Sequence, residues 1–195
     1  MDSQKLIGQR LQQHQEVISL VQNDDSLKNT LSSIIETIVA CFKTDNKVYF
    51  CGNGGSASDA QHLAAEFSGR FYLDRASLPS EALHCNTSYL TAVANDYSYD
   101  LIYSRLVSGV GRKGDILVGL STSGNSKNIV EAFKTARGKE MLTIALIGEK
   151  KGDLEAFSDY IIHVPSSDTP RIQETHILLG HIICEMVESA IFGKK

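Results

Sequence analysis

The chain has 195 residues, 42% of them hydrophobic and 22% charged, with a formal net charge of −4 and a pI near 5.8. That length suits one well-buried core and is short for two, so a single domain over 1–195 is expected, and the acidic balance offers no electrostatic footprint for nucleic acid. With no run of about 18 apolar residues and no basic-then-apolar leader in MDSQKLIGQRLQQHQ, neither a membrane partner nor export is expected.

Leu6, Ile7, Leu11, Ile18, Leu20 and Val21 recur at roughly helical spacing in a Gln-rich, Pro-free segment, which predicts a first helix. After the polar break Asn23-Asp24-Asp25-Ser26, a second helical pattern runs through Leu27, Leu31, Ile34, Ile35, Ile38, Val39 and Phe42 to about Asp45-Asn46. The first helix has a modest apolar stripe, which either its own sheet or a partner subunit can cover. From Lys47 onward short apolar runs alternate with helical patterns, the mark of a parallel sheet covered on both faces. Strands are predicted at Val48–Cys51, Glu81–Cys85, Asp115–Leu120, Leu142–Ile147 and Tyr160–Val164. Helices are predicted near Ala57–Gly69, Tyr99–Val110, Ile129–Gly138, briefly near Leu154, and from about Arg171 to Phe192. In such sheets ligands bind beyond the carboxyl ends of the strands, which singles out the loops after Cys51, Leu120 and Val164. The cysteines Cys41, Cys51, Cys85 and Cys184 are scattered, form no C-x-x-C pair and suit a reducing cytoplasm.

The stretch VYFCGNGGSASDAQHLAAEFSGR, Val48 to Arg70, reads as strand, glycine turn and helix. Ser56 is a candidate N-cap with Asp59 three residues on, so the free N–H groups of the helix should point at the turn, where they attract anions. Gly52, Gly54 and Ala57 satisfy G-x-G-x-x-A, but the acid that would hold a dinucleotide ribose is missing, since the next strand ends His84-Cys85-Asn86. The loop Ser121-Thr122-Ser123-Gly124-Asn125-Ser126 follows an apolar strand and precedes a helix. Its four hydroxyls and the helix N–H groups can surround phosphate, whereas an ordinary cap needs one hydroxyl. His62 and Glu66 share one helical face, and Gln173 and His181 fall near the end of the chain; the four can be grouped around a metal or a reacting sugar. Spacing alone leaves this open, because eight residues separate Gln173 from His181, about 12 Å on an ideal helix. Either Gln173 precedes the regular helix or different subunits contribute. His176 should point elsewhere, as packing or support. Asn95-Asp96 is either a helix stop or a carboxylate offered to sugar hydroxyls.

The segments CGNGGSASDAQHLAAEFSGRF, VANDYSYD, LSTSGNS and RIQETHILLGHIICE resemble the phosphoheptose isomerases of the sugar-isomerase (SIS) domain superfamily, over nearly the whole chain. The resemblance implies a five-stranded parallel sheet flanked by helices, flavodoxin-like, in a homotetramer whose N-terminal segment 1–45 serves assembly and whose 46–195 form the core. It implies one zinc ion per subunit at His62, Glu66, Gln173 and His181. Asn53, Gly54, Gly55, Ser56, Glu66, Asn95, Asp96, Ser121, Thr122, Ser123, Ser126 and Gln173 correspond to substrate-binding positions, and Glu66 and His181 to base and acid. The implied activity is a cytoplasmic conversion of sedoheptulose 7-phosphate into D-glycero-D-manno-heptose 7-phosphate, feeding lipopolysaccharide or capsule. Pro170 departs from relatives with a polar residue there, which bears on how the last helix begins. The alternative is a catalytically silent SIS scaffold resembling the replication-initiator-associating protein, which lacks the carboxylate and the histidine that this chain keeps at Glu66 and His181.

Overall fold

The computed structural model describes residues 2–193. Two helices lead, α1 (Ser3–Asn23) and α2 (Asp25–Lys43), each opened by an aspartate: Asp2 accepts from the Lys5 N–H and Asp24 from the Leu27 N–H. The alternating part follows as β1 (Val48–Gly52), α3 (Gly55–Ser68), β2 (Ser80–Ala82), α4 (Thr87–Asp96), a 3₁₀ turn at Tyr99–Leu101 running into α5 (Ile102–Val110), β3 (Ile116–Ser121), α6 (Lys127–Gly138), β4 (Leu142–Ile147), a second 3₁₀ turn at Asp153–Phe157, β5 (Tyr160–His163) and α7 (Thr169–Phe192). All strand pairs are parallel and lie in the order β2-β1-β3-β4-β5, the flavodoxin-like arrangement.

The period of two sorts each strand between two cores. Val48 and Phe50 of β1, Val118 of β3 and Ile144 of β4 face a core closed by α2, α3 and α7. Tyr49, Cys51, Leu117 and Ala145 face the opposite one, closed by α5 and α6. The central strands are therefore buried on both faces, which is why they read as unbroken apolar runs. An 18-residue window of α7 has mean hydropathy 1.3, enough by length and composition to cross a membrane, yet 44% of it is buried inside the fold. Its apolarity serves the first core.

Three local expectations are corrected. The second strand was expected over Glu81–Cys85, but β2 ends at Ala82: one more ladder bond forms, from the Leu83 N–H to the Phe50 carbonyl, before a turn closed by the Cys85 N–H on the Ala82 carbonyl. A helix fills 87–96, started by Asn86, whose side chain accepts from the Tyr89 N–H. The last helix begins at Thr169, with Pro170 in its first turn, where the missing N–H has no helical partner to lose. Gln173 therefore lies inside the regular helix. The N-terminal helix exposes Ile7, Leu11 and Leu20 and is tied down along its middle, where Val17 packs on Val164 and Ile172 and the Arg171 guanidinium donates to the Arg10 carbonyl at 3.0 Å.

Candidate active site between the third and seventh helices

Beyond Gly52 the chain turns through Gly54, whose φ of +58° favours glycine, and α3 starts there. Gly54 is the N-cap, with no side-chain cap hydrogen bond, so the expected Ser56–Asp59 capping box does not form. Ser56 is the second residue of the helix, buried, and its Oγ receives the Gln173 amide at 3.3 Å. The amide lies so close over Gly55 that a Cβ there would stand 2.8 Å from Gln173 Nε2. Asp59 has a buried Oδ2 without a hydrogen-bond partner; burial pushes its carboxyl above the usual range, against the pull of His62 and His181.

Two turns along α3 lies the densest group of ionisable side chains. His62 Nε2 is 3.1 Å from Glu66 Oε1 and 2.9 Å from His181 Nε2 of α7. The i,i+4 spacing places His62 and Glu66 on one face, and the contact of α3 with α7, where Leu63 packs against Gly180, brings His181 to them. One imidazole nitrogen must accept where the other donates, or both must face a cation. The three ligand atoms lie within 4.8 Å of one another. Two imidazole nitrogens and a carboxylate oxygen suit a divalent metal such as zinc, and the two short separations approach the roughly 3.3 Å edge of a tetrahedron with 2.0–2.1 Å bonds. The residues present fit the ion. Gln173, in contrast, turns its amide to Ser56.

The hydroxyl-rich loop bridges β3 and α6. Ser121 Oγ and Ser126 Oγ are 3.0 Å apart, and Ser126, the N-cap of α6, makes no side-chain cap bond. Its hydroxyl is thus not consumed by capping, the use that a plain serine turn would require. Beside Thr122, Ser123 and Asn125 opens a cleft of about 280 Å³, whose other wall carries Ser166 and Ser167 from the loop after β5 and Thr169 at the start of α7. Asn53 is tied to this side of the molecule. Its amide exchanges two hydrogen bonds with Asn128, at 2.9 and 2.8 Å, and its Oδ1 also receives the Tyr99 hydroxyl at 2.9 Å. Asn128, buried in the first turn of α6, and Tyr99 thus lock the glycine turn to the helix that follows the serine loop. Neither carries a sequence signal, because their partner is 75 or 46 residues away.

Asn95 and Asp96 end α4, exposed, with the Asn95 amide donating to Asp96 Oδ1 at 2.9 Å. His176 is fully buried and faces the Ile147 carbonyl at 3.4 Å; burial depresses its imidazole to about 4, against the carbonyl's opposite pull. It packs inside, as expected. The four cysteines are free, and Cys85 alone of them is exposed.

The SIS domain family matches residues 12–148. A phosphoheptose isomerase of Sulfurimonas denitrificans is 47% identical over 189 residues, 97% of each chain. The structure of a phosphoheptose isomerase from Neisseria gonorrhoeae superimposes with a TM-score of 0.89 at 40% identity, over 95% of this chain and 98% of that one. One from Francisella tularensis gives 0.93 at 32% identity, over 97% and 100%.

Proposed function

The chain belongs to the phosphoheptose isomerases of the SIS-domain family, and from this premise we propose how it converts sedoheptulose 7-phosphate into D-glycero-D-manno-heptose 7-phosphate, an aldose–ketose isomerisation that opens heptose synthesis. The observation that carries the reading is the convergence of His62, Glu66 and His181 between α3 and α7. Glu66, as base, removes a proton from C1 of the ketose and returns it to C2, while the His181 imidazole gives a proton to the C2 oxygen and takes one from the C1 hydroxyl. The enediol lies between the two transfers. When bound, a zinc ion would be held by His62, Glu66 and His181, with Gln173 the fourth donor by resemblance, and would supply electrophilic stabilisation to the substrate oxygens, Glu66 serving as ligand and as base at different stages.

Ser121, Thr122, Ser123 and Ser126 hold the phosphate together with the N–H groups at the start of α6. Asn53, Gly54, Gly55 and Ser56 line the sugar from the glycine turn, and Asn95, Asp96 and Gln173 contact its hydroxyls. A single SIS domain works in the cytoplasm as a homotetramer, with 1–45 in assembly; the exposed Ile7, Leu11 and Leu20 of α1 support that use. A chain lacking residues up to Asp25 that still runs as an active tetramer on light scattering would refute it. A silent scaffold is not favoured, because its distinguishing losses fall at Glu66 and His181, both retained.

The test is turnover of sedoheptulose 7-phosphate beside fructose 6-phosphate, for wild type and Glu66→Gln. Loss of a general base costs about 10²–10⁴ in rate. The variant should lose that much kcat while still binding sugar phosphate. Wild-type turnover of the hexulose alone, or an unimpaired Glu66→Gln at full zinc loading, would overturn the assignment.

A further inference from the structure

Seven residues past His181, two turns along α7, Glu188 forms an ion pair with Arg75 at 2.9 Å, and both side chains are only 2% exposed. A buried pair of this kind is costly in itself and replaceable by apolar residues unless it satisfies further groups. Here it satisfies many. The Glu188 carboxylate accepts the N–H groups of Phe71, Tyr72 and Leu73 at 2.9, 2.7 and 2.9 Å as well as Arg75 Nε. The Arg75 guanidinium donates to the carbonyls of Phe67, Gly69 and Ala76 through Nη1 and, through Nη2, to the carbonyl of Glu66 at 2.8 Å. Burial pushes the Glu188 carboxyl up, but the three N–H groups and the guanidinium outweigh it and hold the group below the usual range.

These bonds reach the acid–base group from two directions. The last carbonyls of α3 have no helical partner of their own, and Arg75 caps that end at the residue whose side chain is the base. The segment held on Glu188 presents the Phe71 ring to the His181 imidazole, with centroids 5.8 Å apart at 48°. We propose that Arg75 and Glu188 are positioning residues for the isomerisation: together they fix the end of α3 to α7 and seat Phe71 against His181, which sets the mutual placement of Glu66, His62 and His181. The proposal rests on the functional reading above. It assigns the pair no contact with substrate.

The experiment compares wild type with Arg75→Lys, which keeps the charge but loses the forked donors, Glu188→Gln, and Phe71→Ala, which removes the ring and leaves the backbone bond to Glu188. Folded protein is quantified by circular dichroism, kcat and KM are measured on sedoheptulose 7-phosphate, and Co²⁺ is titrated into metal-free protein and followed by visible absorption, which reports ligand geometry. Groups that support a metal-ligating or reacting side chain typically contribute 10–100-fold. Each variant should lose that much kcat per folded chain, with KM within about threefold of wild type, a sign that ground-state binding persists. Co²⁺ affinity should fall by a similar factor and the absorption band should change. Phe71→Ala, which removes a half-buried ring and should melt several degrees lower, should do so while still fully folded at the assay temperature, which keeps the test decisive if Glu188→Gln does not fold. Folded Arg75→Lys and Phe71→Ala with wild-type kcat and Co²⁺ binding would overturn the proposal alone, as would a loss that follows only the unfolded fraction. A wild type that neither turns over nor binds Co²⁺ would overturn the functional reading and this proposal with it.

Discussion

Gly180 is a close point of contact between the two site-bearing helices, so Gly180→Ala is a sensitive probe of the site. A Cβ at 180 would stand 2.6 Å from both Leu63 Cδ atoms and 3.1 Å from its Cγ. Carbon atoms settle at about 3.5–4.0 Å, so roughly 1 Å of relief is needed. Leu63 is 2% exposed, and the void beside it holds about 10 Å³, at or below the roughly 10–15 Å³ that a single water needs. The leucine cannot swing clear, and α7 must back away from α3. Overpacking of this kind costs about 1–3 kcal/mol, and at about 2–4 °C per kcal/mol for a chain of this size a cost near 2 kcal/mol lowers the melting temperature by roughly 4–8 °C. Because Leu63 adjoins His62 and Gly180 adjoins His181, the same movement opens the 2.9 Å approach of the two imidazoles. A misplacement of about 1 Å can cost on the order of 10² in rate. Calorimetry and steady-state kinetics measure both effects, and Leu63→Ala in the same chain should return part of each, since the two positions share one contact. A single Gly180→Ala with wild-type kcat would refute the reasoning, because the clash would then have been absorbed without moving the site.

His176 makes stability pH-dependent. Its folded value is depressed to about 4 from 6.5, so the unfolded chain binds the extra proton first, and stability present above about 6.5 is lost as the pH falls toward 4. Between pH 7.5 and 5 the loss from this group is about 2 kcal/mol, and urea midpoints for wild type and His176→Leu should converge at the lower pH; an unchanged gap between them would remove His176 as the cause. Ser126→Ala should raise KM for the sugar phosphate several-fold while lowering the melting temperature by no more than a few degrees, because the hydroxyl it deletes caps no helix and gives up one hydrogen bond, with Ser121 Oγ. A large loss of stability with unchanged KM would mean that the serine is a cap after all.

The sheet is legible in the sequence because strands buried on both faces cannot hide: Val48 to Cys51 and Ile116 to Leu120 are apolar without interruption. The edge strand is less so. His84 and Cys85 continue an apolar-looking run, yet only the turn bond of Cys85 to Ala82 decides where pairing stops. The start of α3 misleads for a different reason. Ser56 and Asp59 have the composition of a capping box, but a positive φ at Gly54 lets the helix begin two residues earlier, on backbone groups alone. His62 and Glu66 can be paired from an i,i+4 interval, whereas His181 joins them through a helix contact across 119 residues. Arg75 and Glu188, 113 residues apart, read as two ordinary charges. Local periodicity cannot show which charges a fold will bury together.

The two halves of the site come from different kinds of structure, and their separation bears on the substrate. In the proposed reading the phosphate end is made by loops at the carboxyl edge of the sheet, where Asn53 is locked to Asn128 in the first turn of α6. The acid–base group lies farther along α3. From Ser56 to His62 is six residues, about 9 Å on a regular helix. In a 7-phosphate ketose the phosphate and the reacting carbons C1 and C2 occupy opposite ends of the chain, so a site that holds the phosphate at the serine loop, as proposed, and reacts beside His62, Glu66 and His181 must keep the distance between the two fixed. The glycine turn, the straight helix and its contact with α7 fix it together. A change that loosens the Asn53–Asn128 lock alters where the phosphate sits, and one at Gly180 alters where the protons are exchanged. On the proposed assignment, function depends on the distance between them, which neither the serine loop nor the imidazole pair defines alone.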